Sequence, residues 1–360
     1  MNMDAVDAID DAVGTVVNAL RSALRVAGAP GADAPIEALP DGGLAHTHLR
    51  LVGTGLLARI PKQSQMDLAA QANLDYQATC FDRAAASGHT PHLHGVLAPS
   101  PLLPRGALLV EEIVGRPAKL PDDLPRLAHA LAAMHALPLP LAAARAPLLD
   151  PADPLALLRS EIDQQAAYLD TAGLLDQSRA AIERTRAAFA VCCARRERPP
   201  RRLIAFDAHP GNFVIRASDG AAVLVDLEKA RYSFPALDLA HATLYTSTTW
   251  DRASSAVLEV DEVVAFYRDW LARSEDAQAW QGWLVPLRAA MWLWSVTWCA
   301  KWRMQSAAAA QSSADGEDWS DQNSDPALVA HVRDRVDTYL SPQGVLRVTN
   351  ELDQLAGHGL

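Results

Sequence analysis

Cysteine is scarce in this chain: four residues in 360, Cys80, Cys192, Cys193 and Cys299, with no paired spacing that would chelate a metal. They read as core or surface thiols of a protein kept in a reducing cytoplasm. Positive charge is short as well. Lys and Arg number 32 against 43 Asp and Glu, a net charge of −11 that argues against a nucleic-acid surface. The acidity leans toward neutral or cationic small partners, or reflects solubility alone. No long apolar run occurs. The densest tryptophan stretch, Trp283 to Trp302, carries Arg288 and Lys301 and is too polar to span a bilayer. The N-terminus is acidic at Asp4, Asp7, Asp10 and Asp11 and lacks the basic and apolar segments of a signal peptide. A soluble protein without membrane or nucleic-acid partners is expected, and with 50% hydrophobic residues it can build one or two domains around a real core.

What is there concentrates between residues 203 and 228. Apolar Leu203, Ile204 and Phe206 lead into a loop in which Pro210 and Gly211 forbid a regular helix, so Asp207 sits on a rigid loop. Asn212 follows five positions after Asp207 and opens the apolar run Phe213-Val214-Ile215. Ser218-Asp219-Gly220 signals a hairpin turn, because Asp-Gly tolerates the positive φ angles that tight turns demand. The return strand, Ala222 to Val225, delivers Asp226 back beside Asn212. Mg²⁺ takes a few carboxylate or amide oxygens together with phosphate and water, so Asn212 and Asp226 suffice as its protein ligands. Asp207 is left to accept a proton from a substrate hydroxyl, the division of labour in kinase-type phosphoryl transfer. The competing reading is an ordinary β-hairpin whose Asp and Asn only make turns. The joint spacing D-x₄-N, hairpin, D-x-E favours chemistry.

Elsewhere, Val6, Ile9, Val13, Val16, Val17, Leu20 and Leu24 recur at helical spacing and predict an amphipathic helix over 3–27, followed by a Gly/Ala linker from Gly28 to Ala34. Three antiparallel strands are expected between Ile36 and Lys62, turning at Asp41-Gly42-Gly43 and Gly53-Thr54-Gly55. A helix over 66–87, a strand over 106–113 and a mostly helical remainder complete the pattern, with 307–325 as a mobile loop. The N-terminal helix is expected to pack on its own lobe, and no pattern sets the oligomeric state.

Together these segments resemble the aminoglycoside phosphotransferase and choline kinase superfamily over roughly residues 36 to 340. His209-Pro210-Gly211-Asn212 is similar to that family's catalytic loop, and Asp41-Gly42-Gly43-Leu44 with Leu57-Ala58-Arg59-Ile60 to its glycine loop and following strand. Leu108 to Glu111, running to Gly115, resembles its hinge, Leu131 to His135 its Leu-x-x-Leu-His helix, and Asp238-Leu239-Ala240 its Asp-Leu-Ala segment. The resemblance implies an α+β, bilobal, protein-kinase-like fold with a small antiparallel N-lobe sheet and a larger, mainly helical C-lobe. It divides the chain into a helical extension and linker (1–35), a nucleotide-binding N-lobe (36–115), a C-lobe with the catalytic loop and substrate site (116–342) and a C-terminal tail (343–360). It implies Asp207 as catalytic base, Asn212 and Asp226 as Mg²⁺ ligands and Arg59 as the cation that meets the nucleotide phosphates. Gly42 and Gly43 would cover the phosphates through their N–H groups, and Glu111 to Ile113 would hold adenine by main-chain groups, so that GTP is not distinguished from ATP.

Three positions depart from the family pattern. Ala205 stands where the family has a His, His46 where it often has an Asn, and no acid on the helix is plain as partner of Arg59. Asp75 and Asp82 are candidates, with Gln77 near the expected position. His135 and Asp238 read as structural, the latter holding the catalytic loop. Glu228 stands open between a second metal, a cationic substrate and a solvated carboxylate. Trp292, Trp294, Trp298 and Trp302 read as core in preference to a cation–π cage for an amino-alcohol. The implied activity is ATP- and Mg²⁺-dependent phosphoryl transfer to a hydroxyl of a small molecule. An aminoglycoside or other antibiotic-like acceptor, hence a resistance role, is favoured over choline, another amino-alcohol, a sugar or a nucleoside. A nucleotide-binding pseudokinase is the reading from another class, motivated by Ala205 and by the lack of a plain helix acid for Arg59.

Overall fold

A computed structural model of the chain describes residues 3–40, 45–306 and 326–360, with side chains of the first helix from residue 14 onward. The chain divides into two compact units, 1–85 with 91–113 and 310–329, and 86–90 with 114–309 and 330–360.

The first unit begins with α1 (Met3–Ala27), then β1 (Ile36–Ala38), β2 (His46–Leu51), β3 (Leu56–Pro61), α2 (Ala70–Ala84), β4 (Leu93–Leu97) and β5 (Ala107–Glu111). The five strands form one antiparallel sheet in the order β1-β2-β3-β5-β4. Its hairpin between β2 and β3 turns through Gly53 and Gly55, both at positive φ (78° and 69°), where a Cβ would be strained. Thr54 closes that turn by donating to the Leu51 carbonyl and accepting from the Leu56 N–H, so Gly53-Thr54-Gly55 is the strand turn its sequence suggests. Leu20 and Leu24 of α1 join Leu49, Leu51, Ala58, Leu97 and Leu109 of the sheet in one apolar core, with Val16 and Val17 packed against it. The helical spacing of those α1 residues is therefore a face made for this unit's own sheet. β4 is an addition to the sequence expectation. It is a short edge strand with an irregular register at Leu93/Gly95, and short irregular edges carry little alternation to read.

The second unit runs β6 (Gly115–Pro117), α3 (Leu124–His135), α4 (Pro154–Ala166), α5 (Asp176–Cys193), β7 (Arg202–Ile204), β8 (Phe213–Arg216), β9 (Ala222–Leu224), β10 (Arg231–Ser233), α6 (Pro235–Thr243), α7 (Tyr245–Thr248), α8 (Val260–Arg273), α9 (Leu284–Ser306), α10 (Pro326–Leu340) and α11 (Pro342–Ala356). α9 packs against α4, α5, α6 and α11 and buries side chains on every face, as a helix apolar all round must. Trp292 and Trp302 are part of that core, while Trp294 and Trp298 are half-buried. The stretch from 343, read from sequence as a tail, is instead helix α11. Its Glu351 pairs with the fully buried Arg288 of α9, which also donates to Tyr267 of α8 and to the hydroxyl and carbonyl of Thr243 in α6. The expected mobile loop over 307–325 lies outside the described residues.

Two small sheets position the chemistry. β8 and β9 form the expected hairpin, with Gly220 at φ 72° in its turn and Asp219 bonded to Arg216 and to the Ala221 N–H, and β6 pairs along β8. β7 pairs with β10 in the register Ile204 to Arg231. That pairing brings the residues just after β7 level with those just before β10.

Candidate active site

β7 ends in Leu203 and Ile204, both buried, and the chain then turns sharply. Phe206 takes φ 63°, a left-handed conformation that costs a bulky residue on the order of 1–3 kcal/mol. Its surroundings hold it there. Asp238, in the first turn of α6 and fully buried, accepts the Ala205 and Phe206 N–H groups, each at 2.8 Å, on its two carboxylate oxygens. It also accepts from His135 Nε2 at 3.0 Å, and Trp270 Nε1 donates to His135 Nδ1 at 3.1 Å. Because the indole nitrogen only donates, this chain places the imidazole proton on Nε2. The Phe206 ring meets the edge of Trp294 and lies under the Arg231 guanidinium, 3.7 Å from the ring centroid. Glu161 ties these two neighbours together, accepting from Arg231 and from Trp294 Nε1. Asp238 grips the backbone, so Ala205 costs this anchor nothing: the missing His would have added a side chain where only an N–H is used.

Phe206 delivers Asp207, whose side chain is 15% exposed. Lys229 Nζ lies 2.6 Å from Asp207 Oδ2 and His241 Nδ1 3.5 Å from Oδ1. His241 is one turn beyond Asp238 on the same face of α6, so one helix both grips the loop and lines its carboxylate. Burial by itself raises the Asp207 pKa, but Lys229, His241 and His209 more than reverse this and hold it below the usual carboxylate range. Burial pushes His241 down to about 4 against the pull of Asp207, and lowers His209 likewise. For Lys229, burial opposes the ammonium while Asp207 and Glu228 favour it, and the net shift is upward. Lys229 was not singled out by sequence reasoning. The only local signal is its place three residues after Asp226, and what brings it to Asp207 is the β7–β10 pairing.

His209-Pro210-Gly211-Asn212 closes in a single 3₁₀ turn, with His209 Nδ1 accepting the Gly211 N–H. Gly211 is needed for space: a Cβ there would stand 2.6 Å from the Asp251 Cβ and 2.9 Å from His209 Cε1. Asn212 Nδ2 donates to the Asp207 carbonyl at 2.8 Å, which leaves its Oδ1 as the end able to ligate. The Val225 N–H bonds to the Asn212 carbonyl, so the hairpin sets Asp226 one residue beyond the position facing Asn212. One amide oxygen and one carboxylate across a hairpin are the hard oxygen donors that Mg²⁺ takes. Glu228, 4% exposed, is not a solvated carboxylate.

In the first unit, Arg59 is 3% exposed on β3, not a surface arginine. His46 Nδ1 lies 3.4 Å from Arg59 Nη2, and His46 Nε2 is 3.0 Å from Gln77 Oε1 on α2. The ring therefore accepts from arginine and donates to glutamine. Neither helix acid weighed from sequence takes this place: Asp75 and Asp82 are exposed, with Asp75 bonded to Gln71, and the α2 residue that meets His46 is the buried Gln77. At the end of β5, the Glu111 N–H is bonded to the His92 carbonyl and the Glu112 N–H to the Gly55 carbonyl. Gly42 and Gly43 lie outside the described residues. All four cysteines are free, and burial pushes the Cys193 thiol up to about 11 and Cys299 to about 12, away from the thiolate form. No helix among the described residues is long and apolar enough to cross a membrane.

Among solved structures, the chain is similar to a choline/ethanolamine kinase family protein from Mesorhizobium loti, with a TM-score of 0.56 at 18% identity over 94% of this chain and 99% of that one. It is similar to an ethanolamine kinase from Plasmodium vivax, with a TM-score of 0.57 at 12% identity over 87% and 84%. A spectinomycin phosphotransferase solved with ADP and spectinomycin gives a TM-score of 0.57 at 11% identity over 89% and 93%. At such identities these likenesses speak to the fold, which is the protein-kinase-like one. No curated protein matches the chain. The family model that matches, over residues 36–283, is that of the phosphotransferase enzyme family, and by that match this chain is a member of it.

Proposed function

We propose that the protein transfers the γ-phosphoryl group of ATP to a hydroxyl of a small amine. The observation that carries this reading is Asp207, a carboxylate kept ionised in a mostly buried site, at the head of a loop whose Asn212 stands at the foot of the hairpin that returns Asp226, one residue past the position facing Asn212. Asp207 would orient the acceptor hydroxyl and take its proton. Asn212 and Asp226 would hold Mg²⁺, which when bound supplies charge neutralisation at the phosphates. Arg59, kept in place by His46, would offer two parallel donors to phosphate oxygens. With the Glu111 N–H committed to the sheet, the Glu111 carbonyl and the Ile113 main chain are the hinge groups left to meet a purine, which suits ATP and GTP alike. Gly42 and Gly43 keep their proposed role over the phosphates. Alignment and fixed charge would do most of the acceleration.

The acceptor class rests on chemistry that aminocyclitol antibiotics and amino-alcohols share, a hydroxyl on a cationic amine. The net charge of −11 supports it, as do the half-buried Trp294 and Trp298 and the Glu161 carboxylate beside Trp294. Four free thiols and this use of ATP suit the cytoplasm. The test is ADP release from purified protein with MgATP against panels of aminoglycosides, macrolides, amino-alcohols, sugars and nucleosides. Asp207→Asn is expected to abolish transfer and leave ADP binding within about threefold, as for a residue acting in the chemical step alone. Wild-type turnover in that variant would remove Asp207 from the role, and ADP binding with no turnover on any panel would favour a nucleotide-binding module.

A further inference from the structure

The Asp207–Lys229 pair is unexplained by proton transfer alone. A carboxylate meant to take a proton gains nothing as a base from an ammonium 2.6 Å away, which makes it weaker. Nor is a mostly buried ion pair a means to stability, since the desolvation of both charges offsets their attraction. Here the two side chains are only 11% and 15% exposed. Among the described residues, Lys229 has one directed side-chain partner, Asp207, and otherwise meets a ring face. Its ammonium lies 5.8 Å from the centroid of the half-buried Trp294 ring, and its four-carbon stem is flexible.

We propose that Lys229 is a catalytic cation, its ammonium passing from Asp207 to the transferring phosphoryl group as the reaction proceeds. The inference rests on the reading of Asp207 as the base. An acceptor oxygen bonded to Asp207 stands about 3 Å from it, and the phosphorus must come within about 3–3.5 Å of that oxygen. The phosphoryl oxygens then lie within a short swing of Nζ. In the step itself, the acceptor oxygen forms its bond to phosphorus while the bond from phosphorus to the nucleoside diphosphate breaks. The electron pair leaves with the diphosphate, and the hydroxyl proton goes to Asp207. Lys229 stays protonated and makes no covalent bond.

The test reads binding, not turnover. MgADP affinity is measured by calorimetry with and without aluminium fluoride, which mimics the phosphoryl in flight, for wild type, Lys229→Met and Lys229→Arg. Wild type should bind MgADP more tightly with fluoride present. Lys229→Met should lose roughly tenfold or more of that fluoride-dependent affinity, keep its affinity for MgADP alone, and have most of the loss restored in Lys229→Arg. Equal losses with and without fluoride, no loss at all, or no fluoride enhancement in wild type would each overturn the proposal while leaving nucleotide binding intact. Absence of MgADP binding by wild type would bring down the nucleotide reading beneath it as well. Should Lys229→Met not fold, because Asp207 is left buried and unpaired, the Asp207→Asn/Lys229→Met double variant replaces it. That variant leaves no lone charge and is compared with Asp207→Asn.

Discussion

Asp238 carries more of the active loop than any residue in the loop itself, and its removal can be worked through. Its carboxylate, fully buried, accepts from the Ala205 N–H, the Phe206 N–H and His135 Nε2. Hydrogen bonds to a charged acceptor contribute about 1.5–3 kcal/mol each, so Asp238→Ala, which loses three, forfeits about 4.5–9 kcal/mol and leaves three donors unpaired in the interior. Part of this returns. With its N–H released, Phe206 can leave φ 63° and recover the roughly 1–3 kcal/mol held there. The net expectation is a loss of about 1.5–8 kcal/mol, centred near 5 kcal/mol. Asp238→Asn keeps the shape and one acceptor oxygen and should lose about half as much, on the same per-bond magnitudes. Urea unfolding followed by tryptophan fluorescence measures the loss. Hydrogen exchange then separates a local from a global effect: the Ala205 and Phe206 amides should exchange far faster in the variants, ahead of the amides of α9. A stability loss under about 1 kcal/mol, or unchanged protection at 205 and 206, would refute the account of how this loop is held.

Three further outcomes are expected. Glu351→Ala strands the Arg288 guanidinium in the interior, so unfolding should come about 3–5 kcal/mol sooner; a variant as stable as wild type in urea would show that α11 is not anchored through this pair. Gly211→Ala sets a Cβ against Asp251, itself bonded to Ser254, and should lower transfer about tenfold or more through a displaced loop; equal activity on the acceptor found in the screen would count against the tight turn. His241 has its folded pKa depressed to about 4 from an ordinary 6.5, so the unfolded chain takes up its proton first as pH falls. Its contribution is whole above pH 6.5 and drains between there and about pH 4, on the order of 3 kcal/mol. A His241→Gln variant should flatten that part of the stability–pH curve, and an undiminished slope would exclude His241 as its source.

Much of the fold and of the site could be read locally. The Asp-Gly turn, the apolar runs around it and the Pro-Gly pair fall within one loop and one hairpin, where sequence spacing and spatial spacing are nearly the same. The α1 face was legible from periodicity, because a helix converts a spacing of three or four into one surface. β4, β7 and β10 were not, since strands of three to five residues offer too few positions for an alternation to stand out in the sequence. The helical end of the chain was missed as well. Its amphipathic face has meaning only against α5, α8 and α9, which the chain brings together, and its buried Glu351 looks from sequence like any surface acid.

The sequence by itself carried the family of this protein, since motifs spread from residue 36 to 283 match the phosphotransferase enzyme family, and it placed an acid, an amide and a second acid at fixed separations around one turn. Tertiary structure alone decided what surrounds them. It set Lys229 on Asp207, put Asp238 under the backbone of Ala205 and Phe206, and gave the place beside His46 and Arg59 to Gln77 over either helix acid. The reason is physical. Burial and charge compensation act between residues brought together by strand register and helix packing, across 22 to 33 positions of chain, and no spacing rule encodes which of several polar residues ends up facing inward.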